Sequence, residues 1–274
     1  MKKFLVPTDF SETARNAAIW AARMAESIPG AELVLFHAYG KMEVGEDGSP
    51  LATDVEAEKT LALTALLSLE NELGRISSTH VTRMAEEGSL LQVVEKAIGQ
   101  HGIDAVVMGI TGASRLDQVL MGSNVLRLVD MNITPVFIVP PDAEYRKLDE
   151  IVFASDFKNV RESTPTKSLQ ALLDHFKSKL DIVNVDQEHY VEITEAFKKE
   201  KEAFQNLFKG YNIDFAFVRL YDFIDGINFF AEDRKAGLIV TLPKRHDFLS
   251  GLFKTSHTKK LAYHSHIPIL ALKS

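Results

Sequence analysis

VVMGITGASRLDQVLMGSNVLRLVDMNITPVFIV, residues 106 to 139, is the stretch that decides the fold. The apolar run from Asp104 to Met108 reads as a buried strand that breaks at Gly109. A glycine-bearing loop follows, Gly122-Ser123 opens a helix-patterned segment, and Thr134-Pro135 leads into a second buried strand, Val136 to Val139. In that order these pieces make a phosphate-binding arrangement. Glycine lets the backbone approach an anion, and the first amides of a helix lack internal partners and point outward at the positive end of its dipole. Ser123 adds a hydroxyl donor at that end. The competing reading, an ordinary strand-to-helix loop that happens to carry glycines, is weakened by the start of the chain.

There, Lys3 to Val6 reads as a short buried strand ending at Pro7-Thr8-Asp9. Ser11 precedes a helix in which Ala14, Ala17, Ala18, Ala21, Ala22 and Ala25 recur at three- and four-residue steps, small enough to sit close on a sheet. Glu32 to Tyr39 is a second strand, residues 41 to 53 a glycine-bearing loop, and Asp54 to Gly74 a helix with leucines at 61, 66, 69 and 73. Thr79 to Ala85 is a third strand, Ser89 caps a helix through Gln100, and Gly102 ends it. Strands alternating with helices imply parallel crossovers and a doubly wound α/β sheet. With strand order 3-2-1-4-5, strands one and four are neighbours where the order reverses, and ligands bind beyond the carboxyl ends of the strands there. Pro7-Thr8-Asp9 and Gly109 then face one crevice.

The pattern restarts after a polar, proline-bearing linker, residues 140 to 147. Glu150 to Phe157 echoes Lys3 to Phe10, keeping the aspartate and phenylalanine. Thr164-Pro165 is a helix start, Leu180 to Val185 a strand, Glu188 to Phe208 a helix and Ile213 to Leu220 a strand. Asp222 to Lys235 is a helix, and Gly237 to Thr241 and Pro268 to Leu272 are strands. The loop has diverged: Thr241 stands for Gly109, Lys244 for Gly112 and Thr255-Ser256 for Gly122-Ser123. Side chains there obstruct the close approach of a phosphate. Lys244, Arg245 and His246 form a solvated basic loop or a side-chain anion site.

The chain of 274 residues exceeds a typical domain, so two are expected. Its 31 basic and 38 acidic residues, a net charge of -7, argue against nucleic acid as a partner. There is no cysteine, hence no disulfide, thiol nucleophile or thiolate metal site. The start, MKKFLVPTDF, reads as a strand rather than an export signal, and no apolar segment is long enough to span a bilayer, so cytoplasmic residence is expected. His257, His264 and His266 have no acidic residue nearby in sequence and read as exposed loop histidines; no metal ligand and no catalytic residue is assigned.

The spacing Gly109, two residues, Gly112, nine residues, Gly122, Ser123 resembles the G-2x-G-9x-G-[S/T] signature of the nucleotide-binding universal stress proteins. Pro7-Thr8-Asp9-Phe10-Ser11 is similar to the run that ends their first strand. The resemblance covers residues 1 to about 140. It implies tandem Rossmann-like or flavodoxin-like domains, 1–141 with an intact motif and 147–274 with a degenerate one, each a five-stranded parallel sheet. It implies an adenine nucleotide, ATP or else AMP or ADP, in the first domain, with Mg²⁺ or Mn²⁺ held through the phosphates. Pro7, Thr8 and Asp9 would meet the nucleoside, and Ala38, following His37, would offer backbone to adenine. Met108 and Gly109 precede the loop, and Gly112, Gly122, Ser123, Asn124 and Val125 would meet the phosphates. Asn124-Val125 departs from the hydroxyl residue that many members place there, which weakens the terminal phosphate contact. His37 itself reads as a strand-end residue, and Asp9 also as a turn cap. The resemblance further implies that the final strands, Pro135 to Val139 and Ile267 to Leu272, pair within or between chains, with homodimers and unknown protein partners.

A nucleotide-responsive stress regulator or scaffold is the leading expectation. An ATP-using enzyme is the second: there is no Walker lysine, carboxylate pair or serine elbow, so slow ATP hydrolysis is the most that is expected. A nucleotide-independent scaffold is the third.

Overall fold

The computed structural model describes residues 1–40, 54–110, 123–186, 195–219, 223–242 and 266–273. The N-terminal half runs β1 (Lys3–Pro7), α1 (Glu12–Glu26), β2 (Glu32–Tyr39), α2 (Val55–Leu73), β3 (His80–Glu87), α3 (Leu90–His101), β4 (Ala105–Gly109), α4 (Ser123–Met131) and β5 (Val136–Val139). The C-terminal half runs β6 (Glu150–Ala154), α5 (Val160–Ser163), α6 (Thr166–Phe176), β7 (Lys179–Asp186), α7 (Glu195–Leu207), β8 (Ile213–Arg219), α8 (Phe223–Asp233), β9 (Leu238–Thr241) and β10 (Ile269–Ala271).

Local chemistry explains the boundaries. The Ser11 hydroxyl accepts from the Ala14 amide at 3.2 Å and starts α1, whose alanines are buried while Trp20 and Met24 fill the space beside them. Asp54 does the same for α2, accepting from Ala57 at 3.1 Å. Gly102 ends α3 in the left-handed conformation, φ 63°, that glycine adopts without strain. Two local details go beyond the sequence pattern. Ser89 occupies the N-cap position of α3 without bonding a helix amide; its hydroxyl goes to the Gln92 side chain instead. Leu61 is 70% exposed, because a five-residue step to Leu66 leaves the inward face, and Ala62 takes its place there.

Among the described residues the strands form a ten-stranded sheet in the order β3-β2-β1-β4-β5-β10-β9-β6-β7-β8. Each half is therefore a parallel 3-2-1-4-5 sheet. β5 and β10 join antiparallel, Ile138 opposite Ile269 and Phe137 opposite Leu270, so the final strands pair within the chain. One apolar core packs α1, α2, α6 and α7 on one face, the other packs α3, α4 and α8 on the opposite face, and each draws residues from both halves. Because the halves run in opposite senses, the carboxyl ends of β1, β2 and β4 leave one edge of the sheet and those of β6, β7 and β9 the other.

The linker has no helix or strand, yet it is tied down. Asn16 of α1 donates to the carbonyls of Pro140 and Ala143, both at 3.1 Å, Ser27 bonds the Tyr145 hydroxyl at 3.1 Å, and Trp20 meets Tyr145 edge-on. The proline-bearing composition conceals a segment with Ala143 and Leu148 buried.

Candidate functional site

At the end of β1 the backbone turns through a set of local bonds. The Thr8 amide donates to Phe36 on β2 at 2.8 Å, and the Thr8 hydroxyl accepts from the Phe10 amide at 2.9 Å. Asp9 accepts from the Ser11 amide at 3.1 Å, so its capping role is present. This winding forces Phe10 to φ 62°, the left-handed region that non-glycine residues avoid. His37 closes the turn: its Nδ1 lies 2.7 Å from the Thr8 carbonyl, and since a carbonyl only accepts, Nδ1 carries the proton. The imidazole also meets the Phe10 ring at 4.6 Å between centroids. His37 is thus a half-buried strand-end residue bonded to backbone, as expected.

β1 pairs with β2 on one side and β4 on the other, which brings Pro7, Thr8, Asp9, Ala38 and Gly109 to one edge of the sheet. Gly109 has a packing reason for being glycine. A Cβ there would lie 2.8 Å from both the carbonyl oxygen and a methyl of Thr13, so only glycine lets the first turn of α1 approach β4. Met108 points to the other face and is buried in the core beneath α3 and α4. α4 begins at Ser123, with its first amides lacking intrahelical partners. Asn124 is exposed, whereas the Val125 side chain is buried in the core and leaves only its amide for an anion. Gly112, Gly122 and the Ser123 side chain lie outside the described residues.

The C-terminal half repeats the turn bond for bond. The Ser155 amide donates to Val183 at 2.9 Å, the Ser155 hydroxyl accepts from Phe157 at 3.1 Å, and Asp156 accepts from Lys158 at 3.1 Å. Phe157 is again left-handed, φ 53°, and Asn184 donates to the Ser155 carbonyl at 3.0 Å as His37 does to Thr8. Sequence reading missed this His37–Asn184 equivalence; the signal was their equal distance from the repeated strands. One expected equivalence is corrected. Phe4 pairs with Ala105 and Ile151 with Leu238, so Thr241 matches Met108, and Leu242 rather than Thr241 takes the place of Gly109. The alanine and valine runs of β4 and β9 are alike enough that sequence leaves this one-residue slip open. Lys244, Arg245, His246, Thr255 and Ser256 lie outside the described residues.

His266 is exposed but not alone: its Nδ1 is 2.9 Å from Asp142, an acid supplied by the linker rather than by nearby sequence. His257 and His264 lie outside the described residues. Among the described residues no group of three or more His, Cys, Asp or Glu is placed to hold a metal ion, and no helix is long and apolar enough to cross a membrane.

Residues 1–140 match the profile of the universal stress protein family, just over half of the chain. The chain belongs to that family. A universal stress protein of Methanocaldococcus jannaschii is 25% identical over 153 residues, covering 50% of this chain and 94% of that protein. A universal stress protein from Archaeoglobus fulgidus shares the fold over 99% of this chain and 96% of its own, with a TM-score of 0.68 at 16% identity. A functionally unknown protein from Pseudomonas aeruginosa does so over 99% and 92%, with a TM-score of 0.59 at 16% identity. The family's α/β fold therefore extends through both halves, in a tandem arrangement.

Proposed function

We propose that the N-terminal half binds an adenine nucleotide, ATP with Mg²⁺ or Mn²⁺ held through its phosphates, and that the protein acts as a nucleotide-responsive stress regulator. The observation that supports this most is the meeting of the Thr8–Phe10 turn, Ala38 and Gly109 on one sheet edge, where β1 and β4 are neighbours at the reversal of strand order. Pro7, Thr8 and Asp9 hold the nucleoside and the Ala38 backbone meets adenine. Gly112, Gly122, Ser123 and the amides of Asn124 and Val125 take the phosphates. Leu242 in the place of Gly109, half-buried against the core, is why the C-terminal half takes no triphosphate in this manner and serves as partner and scaffold. The reading places the protein in the cytoplasm as a homodimer.

Calorimetric titration of ATP, ADP and AMP into wild type and Gly122→Trp tests this. One site per chain, lost in the variant, is the expected result. Two sites per chain overturn the assignment of the second half, and no heat with any nucleotide leaves the scaffold reading.

A further inference from the structure

The two halves follow the same turn and part company over what lies on its phenylalanine. His37 pairs across the sheet with Ala85, and its counterpart Asn184 pairs with Phe217. The last turns of α2 and α7 end with the same bond, Ile76 amide to Leu73 carbonyl and Tyr211 amide to Phe208 carbonyl, both at 3.0 Å. Counted back from there, Ala62 stands where α7 carries Phe197. Two alanines thus replace two phenylalanines.

The consequence is visible at the turn. Phe197 stacks on Phe157 at 4.8 Å with 29° between the rings, Phe217 lies 5.6 Å from it, Phe204 and Phe215 complete the cluster at 5.2 and 6.1 Å, and Phe157 is 5% exposed. Burial of that ring offsets the strain of its left-handed backbone. Phe10 carries the same strain, yet it is 40% exposed and, among the described residues, His37 is the only aromatic ring laid against it. An exposed aromatic held in a strained conformation at a crevice mouth contributes little to folding. The C-terminal half shows what its surroundings accept, namely another aromatic ring laid against it.

We propose that Phe10 is the stacking platform for the base of the bound nucleotide, and that the C-terminal half has filled the corresponding place with its own Phe197 and Phe217. The proposal rests on the nucleotide reading above. His37 is then a positioning residue, whose Nδ1–H fixes the turn and whose ring backs the platform, while Asn184 supplies only the bond because Phe197 and Phe217 supply the rings.

The test titrates ATP and inorganic tripolyphosphate into the full-length wild type, Phe10→Leu, Phe10→Trp and Ala85→Phe, each checked by thermal unfolding. Loss of one base–aromatic stack weakens ATP binding by about 5- to 140-fold. Phe10→Leu is expected to show that loss with tripolyphosphate unchanged, Phe10→Trp to restore ATP, and Ala85→Phe to weaken ATP by setting a ring where Phe217 stands in the other half. Equal ATP affinity in wild type and Phe10→Leu overturns the proposal and assigns the exposed ring to a protein partner. Parallel loss of ATP and tripolyphosphate in Phe10→Leu also overturns it, since the ring then only shapes the turn. If Phe10→Leu does not fold, Ala85→Phe decides: unchanged ATP affinity overturns the proposal. Wild type that takes up no ATP sinks the nucleotide reading itself, which is a different result from wild type and Phe10→Leu binding alike.

Discussion

Ile138 of β5 lies directly opposite Ile269 of β10 in an antiparallel pair, and both side chains are buried. This contact turns two five-stranded sheets into one and sets the two turns, at Thr8 and at Ser155, on opposite edges of it. It also covers strand edges that would otherwise template association.

From that pair follows a prediction about cooperativity. Ile138→Ala removes buried apolar volume where both halves meet, at a cost of about 2–5 kcal/mol. Because each core runs through both halves, calorimetric unfolding should show one transition displaced to lower temperature. A variant in which the first half melts alone, with the second unchanged, would contradict a shared core.

Gly109→Ala tests the packing role of the motif glycine apart from any ligand. Two of the three atoms nearest the added Cβ are backbone atoms of Thr13, at 2.8 and 3.0 Å, so the first turn of α1 must shift. Overpacking of this kind costs about 1–3 kcal/mol. A urea midpoint equal to wild type in the absence of nucleotide would show that the glycine is kept for ligand access alone.

A pH dependence is built into β6, β7 and β8. Lys179 lies 2.7 Å from Asp181, 3.4 Å from Glu150 and 3.7 Å from Asp214. Asp181 is 1% exposed, and its Oδ2 has no hydrogen-bond partner among the described residues. The hydrogen bond to Asp181, and then burial, hold the Glu150 carboxyl above the usual range, with Lys179 opposing. Burial pulls Lys179 down, but its bonds to Asp181 and Glu150 outweigh that and leave it raised. A group raised on folding stabilises fully below its unfolded pKa and loses that contribution as pH climbs through the folded value. The Glu150 contribution is therefore lost from mildly acidic pH upward, and that of Lys179 only in strong alkali. In the N-terminal half Val34 takes the register place of Asp181. Asp181→Val should flatten the dependence of the urea midpoint on pH between acid and neutral; an unchanged slope would assign it to other groups.

The linker offers a fourth prediction. Asn16→Leu leaves the Pro140 and Ala143 carbonyls without their shared donor, at a cost of about 1–3 kcal/mol. Limited proteolysis should then cut within residues 140–147 faster than in wild type. Equal cleavage rates would mean that Tyr145 and the buried Ala143 and Leu148 hold the segment without Asn16.

Much of the fold was legible because it is written in short-range chemistry. The run Glu32–Tyr39, the alanines of α1, the caps at Ser11 and Asp54 and the stop at Gly102 each depend on neighbours within a turn or two. The candidate site was legible at Pro7–Asp9 and Gly109 for the same reason, since both sit at strand ends marked by residues that break strands. What stayed hidden depends on contacts between distant segments. Sequence spacing placed Thr241 at Gly109, and only pairing with β6 moved Leu242 there. His266 looked isolated because its acid, Asp142, comes from the other side of the β5–β10 seam. Nothing local distinguishes Phe10 from Phe157 either, and it is the rings brought from α7 and β8, Phe197, Phe204, Phe215 and Phe217, that bury Phe157 while Phe10 stays exposed.

The sequence by itself determined the elements, their alternation, the duplication and the motif, because hydrophobic period, caps and glycine positions act through the adjacent backbone. The tertiary structure decided strand register, the antiparallel seam, the anchored linker and the differing surroundings of the two turns. Each of these is a choice among pairings that cost the local chain the same and differ only in what the far side supplies.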